Sequence, residues 1–420
     1  MKVLIKSAKI ISPSSPYHGQ TLDILIENGT ISKIDSTIDV KAEKVVEGNN
    51  VHISVGWTDC FANFFDPGFE YKETLQTGAL AAAAGGFTKV CVIPNTNPVI
   101  DNKAQVEYII QKGRELPVTI YPIGAITKKT EGKELSEMYD MQTSGAIAFS
   151  EGTSSLQSSG IMLKALQYVK AFDGIIVQLP EDRSINPNGL MNEGVVSTRL
   201  GLAGKPAIAE EIFIARDIEL LKYTGSRIHF TGISTRKSVL LIEQAKKEGL
   251  NVSCSVTPYH LYYNEEDLEG YDTNLKVNPP LRTKEDMMAM REGVNNGIID
   301  FIASHHLPQE WDSKVCEFEY AKYGMIGLET MFSMSLSSGI LTERFVTMQT
   351  EQINTILGLP KTTIKEGEVA NITIFDPSGE FTLQDNNIQS RSKNSPVINK
   401  MLQGKVIGII NGNHLLLNKN

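Results

Sequence analysis

The chain has 420 residues, 41% of them apolar, and its 40 Lys+Arg against 49 Asp+Glu give a formal net charge of -9. That length can bury a large core as one large α/β domain with a smaller one, or as two or three domains. The acidic balance, with no long basic run, excludes a nucleic-acid tract. Four widely spaced cysteines, Cys60, Cys91, Cys254 and Cys316, show neither paired zinc spacing nor a disulfide framework, so a reduced cytoplasm is expected.

Met1-Lys2-Val3-Leu4-Ile5-Lys6 mixes charge with apolar residues and forms no signal-peptide core, and no later apolar run approaches ~18 residues. A soluble, unprocessed protein with no membrane partner is expected. From Lys2 to Val51, short β-rich segments (Val3 to Ile5, Leu22 to Ile26, Ile31 to Ile34) alternate with turns such as Asn28-Gly29. The far end repeats this pattern in Ala370 to Phe375, then in Val406 to Ile410 before Asn411-Gly412, so both ends are expected to share one small β-sandwich domain, 1–51 plus 365–420.

Between them, over 52–364, strands alternate with helices, the sign of parallel βαβ units. Eight strands are predicted near Ile53–Asp59, Thr88–Ile93, Val118–Ile123, Ala146–Phe149, Gly174–Gln178, Arg227–Thr231, Asn251–Val256 and Ile299–Ala303. Helical spacing marks Thr74–Ala84, Ala104–Arg114, Ile161–Ala171, Ala209–Tyr223, Val239–Glu248 and Glu285–Asn296. Eight such units close a (β/α)8 TIM barrel. The alternative, a doubly wound sheet, would need a Gly-rich phosphate turn after its first strand, and none is present.

Several segments, in order through most of the chain, resemble the larger, multifunctional-type dihydroorotases of the amidohydrolase superfamily. The opening block is Asp66-Pro67-Gly68-Phe69-Glu70-Tyr71-Lys72-Glu73, Ala81-Ala82-Ala83-Ala84-Gly85-Gly86-Phe87-Thr88 and Pro94-Asn95-Thr96-Asn97-Pro98. Later come Val256-Thr257-Pro258-Tyr259-His260-Leu261, Lys276-Val277-Asn278-Pro279-Pro280-Leu281-Arg282 and Gly324-Met325-Ile326-Gly327-Leu328-Glu329. The resemblance implies an amidohydrolase barrel flanked by a β-domain, and interconversion of carbamoyl aspartate with dihydroorotate. That chemistry uses zinc to polarise the carbonyl and to activate water.

The family's first-strand His-x-His-x-Arg places two imidazoles on one face, since residues i and i+2 of a strand point the same way. Phe61, Asn63 and Phe65 stand at those three positions, so the bidentate arginine grip on a carboxylate is lost as well. Where the family has Phe-Ser-Asp-Asp-Gly, with a metal-bridging aspartate, this chain reads Phe149-Ser150-Glu151-Gly152-Thr153, with Gly152 at the bridging position. Leu179 replaces the fifth-strand histidine and Gly232 the sixth-strand one. In Ser304-His305-His306-Leu307-Pro308-Gln309, His305 stands at the general-base aspartate and Gln309 at the last histidine. A histidine can shuttle protons near neutral pH, but without an activated water it has nothing to deprotonate.

These replacements lead to the expectation of a degenerate, noncatalytic homologue with no zinc and no catalytic residues. Asn95, Asn278, His260 and His306 match family positions as remnants of the substrate pocket, although asparagine also serves tight turns. His18, His52 and His414 are expected to serve surface or packing, His229 to lie in the core, and Asp59 to act as a cap or acceptor. Glu151 reads as a solvated loop acid. The implied role is structural or regulatory, beside aspartate carbamoyltransferase or an active dihydroorotase, with self-association expected. The rival expectation is an active zinc-dependent dihydroorotase or other cyclic amidohydrolase whose site is rebuilt from Glu151, His305 and His306.

Overall fold

The protein is described as a computed structural model covering residues 1–418. At the N-terminal end, β1 (Lys2–Ile10), β2 (Thr21–Glu27) and β3 (Thr30–Asp35) form an antiparallel meander that turns at Asn28-Gly29. β4 (Lys44–Val46) and β5 (His52–Val55) then add to β1 in parallel.

The barrel follows as β6 (Trp57–Ala62), β7 (Phe87–Val92), β8 (Thr119–Ala125), β9 (Ala148–Ser150) and β10 (Ile176–Gln178). A short side ladder, β11 (Met191–Asn192) with β12 (Gly204–Lys205), interrupts it before β13 (Ile228–Phe230), β14 (Val252–Val256) and β15 (Phe301–Ile302). These eight barrel strands pair in sequence order and in parallel from β6 to β15. A bridge between Ala62 and His306, with the Asn63 amide donating to the His306 carbonyl at 2.9 Å, brings the two edges together. The molecule is a (β/α)8 barrel, and its strands are buried on both faces, as parallel strands packed between a barrel interior and a helical ring must be.

Six helices lie within a few residues of their expected spans: Leu75–Ala84, Lys103–Gly113, Ser159–Lys170, Ile208–Thr224, Arg236–Lys247 and Lys284–Asn295. Most start on a side-chain cap that satisfies an otherwise orphan N–H, as Thr74 does for Thr77 and Thr235 for Ser238. From the C-terminal end, β16 (Asn371–Thr382), β17 (Met401–Asn411) and β18 (His414–Leu417) run antiparallel, and β16 pairs with β5 from Ile372 opposite Val55 to Phe375 opposite His52. Both ends of the chain therefore share one hydrogen-bonded sheet of eight strands. Trp57 ties it to the barrel, its ring 5.3 Å from Phe375 of β16 and 4.9 Å from Phe332.

One expected element is corrected. The strand read near Ile53–Asp59 is two strands, broken at Gly56, whose amide donates to the Asn371 carbonyl at 2.9 Å. Residues 52–55 belong to the end sheet and only 57–62 to the barrel, because β16 claims the first half as its partner. Among the described residues no helix is long and apolar enough to cross a membrane.

Candidate functional site

Side chains at the C-terminal ends of the barrel strands converge on a cavity of about 640 Å³. This is where parallel barrels present their chemistry, because the strand-to-helix loops there are free to vary without disturbing the core. Six of the positions singled out in the sequence line it: Phe61, Asn63, Phe65, Leu179, His305 and Gln309. Asn95, Asn278 and His306 line it too. His260 does not. Its Nε2–H donates to the Pro280 carbonyl at 3.1 Å and its Nδ1 pairs with the Thr257 hydroxyl at 2.7 Å, so it props the loop that carries Asn278.

The replaced positions are packed against one another. The Phe61 ring stacks on His305 with centroids 4.4 Å apart. Asn63 turns its Oδ1 back to accept the Phe65 amide at 2.9 Å, a local turn bond that removes it from the cavity's acceptors. Gln309 accepts from Lys72 Nζ at 2.8 Å and donates to the Tyr323 carbonyl at 2.8 Å. The two glycines matter for what stands beside them. A Cβ on Gly152 would lie 1.7 Å from Asn95 Oδ1, and one on Gly232 would lie 2.6 Å from His305 Cε1. Both glycines also have left-handed φ, 63° and 67°. No side chain fits at either position while Asn95 and His305 stay where they are.

The zinc that the resemblance implies does not fit these side chains. Phe61, Leu179, Gly152 and Gly232 present no donor atom, and the oxygen of Asn63 is engaged. Among the described residues no group of three or more His, Cys, Asp or Glu side chains is gathered as a metal cluster. Glu151, His305 and His306 turn to separate partners. Glu151 is buried rather than solvated, because its carboxylate accepts the Thr127 amide at 2.7 Å and hydroxyl at 2.9 Å, which fastens two barrel loops together. Burial raises its pKa against those bonds. His306 takes the Gly327 amide on Nδ1 and presents Nε2–H to Glu73 at 3.3 Å.

His305 ends a buried relay that runs over the neighbouring strands β13, β14 and the end of β15. His229 bonds Ser253 at 2.8 Å through Nδ1 and Ser255 at 2.9 Å through Nε2, Ser255 donates to Thr231 at 3.0 Å, and Thr231 meets His305 Nε2 at 2.8 Å. Asp59 works as an acceptor, taking the Ser304 amide at 2.7 Å and hydroxyl at 2.8 Å. Burial drives the pKa values of His229, His260 and His305 down to about 3.

A base whose folded pKa lies below its unfolded value of about 6.5 stabilises the fold fully above that pH, and the contribution is lost as pH falls from 6.5 toward 3. At pH 5 the loss is on the order of 2 kcal/mol per ring. The urea midpoint is therefore expected to drop clearly between pH 7 and pH 5. An unchanged midpoint would show that these rings are not held neutral.

Sequence reading missed the charged wall of the cavity. Lys205, from β12, reaches Glu181 and donates to Asn278 Oδ1 at 2.9 Å, while Asn278 Nδ2 donates to Glu181 at 3.1 Å. Burial would raise the Glu181 pKa, but Lys205 and Asn278 hold it below the ordinary carboxylate value. Lys72 stands 4.9 Å over the Phe65 ring and 3.6 Å from Glu310, and burial lowers its pKa. Lys72 lay inside a quoted motif without a role, whereas Lys205 carried no local signal.

Residues 53–238 match a family model described as Dihydro-orotase-like, and residues 196–407 match one described as Amidohydrolase family. The chain is 38% identical over 414 residues to the dihydroorotase of Syntrophus aciditrophicus, covering 97% of each protein. It is 40% identical over 424 residues to the dihydroorotase of Acetivibrio thermocellus, covering 99% of each. Among solved structures, the L-hydantoinase (dihydropyrimidinase) from Arthrobacter aurescens superposes with a TM-score of 0.86 at 23% identity, over 100% of this chain and 96% of that one. The dihydropyrimidinase from Brevibacillus agri gives 0.83 at 19% identity, over 100% and 95%. At those identities the structural likeness speaks for the fold alone.

Proposed function

The chain belongs to the dihydroorotase family of amidohydrolases, and from that premise we propose that it is a noncatalytic member, without a metal site, that serves pyrimidine synthesis as a structural or regulatory partner. One observation carries the reading. The positions where the family holds its metal are occupied by side chains that offer no donor or, at Asn63, have it engaged by the Phe65 amide, and the neighbours of the two glycines fill the space that ligands would need, with Asn95 Oδ1 1.7 Å from a Cβ at 152. Hydrolysis of a cyclic amide without an activated water leaves the barrier largely unreduced, since metal-bound water is what supplies a nucleophile near neutral pH.

Protein purified without chelator is expected to carry far less than one zinc per chain by elemental analysis and to hydrolyse no dihydroorotate above background. Stoichiometric zinc together with turnover abolished by His305→Ala overturns the reading and restores the rival, an active cyclic amidohydrolase with a rebuilt site.

The partner proposed is aspartate carbamoyltransferase, in the cytoplasm, with self-association or an active dihydroorotase as further components. Mixing the two purified proteins is expected to shift the elution or the activity of the carbamoyltransferase. Unchanged elution and unchanged activity would remove this partnership.

A further inference from the structure

We infer that a second cleft, on the seam between the barrel and the end sheet, binds a small free amino acid, with its carboxylate at Lys361, Asn354 and Thr362 and its ammonium at Glu351. This cleft shares no lining residue with the cavity at the barrel mouth, so the inference does not depend on the proposed function.

The cleft holds about 290 Å³. Ser14, in the turn between β1 and β2, and Val55, at the end of β5, form its end-sheet side. Glu351 and Asn354 come from the helical run beyond the last barrel strand, and Lys361 and Thr362 from the segment that leads back to β16. Asn354 Oδ1 accepts the Thr58 hydroxyl at 2.9 Å near the start of β6, whereas Phe61, near the other end of that strand, lines the mouth. Glu351 lies in a π-helical turn, Met348–Gln352, a local widening of a helix that is frequent at functional sites. The seam is tied across the cleft: the Ser14 amide donates to Glu351 Oε1 at 3.0 Å, and the Thr363 hydroxyl to the Ser14 carbonyl at 3.2 Å.

Unused polar capacity marks this cleft as a site. Asn354 is only 4% exposed, and with its Oδ1 engaged by Thr58 its Nδ2 has no partner among the described residues. The Thr362 hydroxyl is buried and likewise unpartnered. Buried donors left unmatched are costly, and a ligand acceptor relieves that cost. Lys361 is exposed, brings three N–H donors and has no carboxylate opposite it among the described residues. Against these donors stands one carboxylate, Glu351, whose Oε2 stays open because the Ser14 amide takes only Oε1.

An ammonium beside two uncharged donors selects a carboxylate, and a free carboxylate oxygen in the same cleft selects an ammonium. A simple anion would leave Glu351 unpaired and repelled, and a simple cation would do the same to Lys361. A molecule that carries both charges matches all four groups at once. The cleft is small for a small-molecule site, which restricts the guest to a short side chain.

The test is saturation-transfer NMR of the full-length protein with L-alanine, propionate and ethylamine, at low ionic strength, where exposed charges are least screened. L-Alanine is expected to give a saturable signal. Propionate, which lacks the ammonium, and ethylamine, which lacks the carboxylate, are each expected to bind about tenfold or more weakly. Lys361→Met is expected to lower L-alanine to the level of ethylamine, and Glu351→Gln to lower it to the level of propionate. Neither side chain is fully buried, so both variants are expected to fold. Propionate binding as tightly as L-alanine overturns the ammonium contact, and ethylamine binding as tightly overturns the carboxylate contact. The absence of a saturable signal, or an L-alanine affinity unchanged in either variant, overturns the site.

Discussion

Gly152→Asp, which would return a carboxylate to the bridging position, is expected to destabilise the protein by about 3 kcal/mol or more and to gain no metal. The new Cβ would lie 1.7 Å from Asn95 Oδ1, so Asn95 must move. Asn95 is held at both ends of its amide, Oδ1 accepting from the Thr153 amide at 2.9 Å and Nδ2 donating to the Glu151 carbonyl at 3.2 Å. Displacing it forfeits both bonds at about 1 kcal/mol each, and a non-glycine residue at φ 63° adds about 1 kcal/mol. Urea denaturation reads the loss. The double variant Asn95→Ala/Gly152→Asp relieves the collision and is expected to fall within about 1 kcal/mol of Asn95→Ala alone. A single Gly152→Asp variant as stable as the parent would mean that the loop yields freely and that the position is not plugged.

Much of the barrel was legible because parallel strands and amphipathic helices leave period and composition signals. Lys103–Gly113 and Arg236–Lys247 show them clearly, each beginning after an Asn or Thr cap. The run after the last barrel strand was not legible. Met331–Ser337 is a helix, but nearly all of it is buried, so no polar face marks its period. The division of 53–59 between two sheets was hidden for a different reason: it depends on a partner strand, β16, that lies more than 300 residues further along the chain.

The candidate site divides in the same way. Which positions had changed could be read from motif spacing, and the structure gathers Phe61, Asn63, Phe65, Leu179, His305 and Gln309 around one space. What the changes packed against could not be read. Asn95 beside Gly152 and His305 beside Gly232 are meetings of distant segments, and Glu151, taken for a solvated acid, is buried by bonds to Thr127. Lys205 reaches Glu181 from a side ladder of only two residues per strand, too short to leave a β pattern.

Glu210 illustrates that blindness most sharply and carries the second large prediction. It sits in the first turn of the Ile208–Thr224 helix, a position where the helix dipole favours an acid. In the fold it is buried, and its carboxylate accepts the Ser234 amide at 2.8 Å, the Thr235 amide at 3.2 Å and the Ser238 hydroxyl at 2.7 Å, with the Ser234 hydroxyl as a further donor. Arg282, also buried, approaches it at 3.9 Å and donates to Ser234 Oγ at 3.1 Å, Asn192 Oδ1 at 2.9 Å and the Lys205 carbonyl at 2.9 Å. Burial raises the Glu210 pKa, and Arg282 with the hydroxyl and amide donors only partly offsets it.

Removing one partner of such a group leaves the other charge uncompensated, so Glu210→Ala is expected to cost about 3–5 kcal/mol, a large share of the ~5–15 kcal/mol that holds a folded protein together. Glu210→Gln keeps the volume and one carbonyl acceptor and is expected to cost less than half as much. Because Arg282 also holds the backbone of Lys205, the alanine variant is expected to loosen the charged wall of the cavity, seen as faster amide exchange at Lys205 and Asn192. Chemical denaturation orders the two variants, and an alanine variant within 1 kcal/mol of the parent would mean that this buried network adds specificity to the fold but little stability.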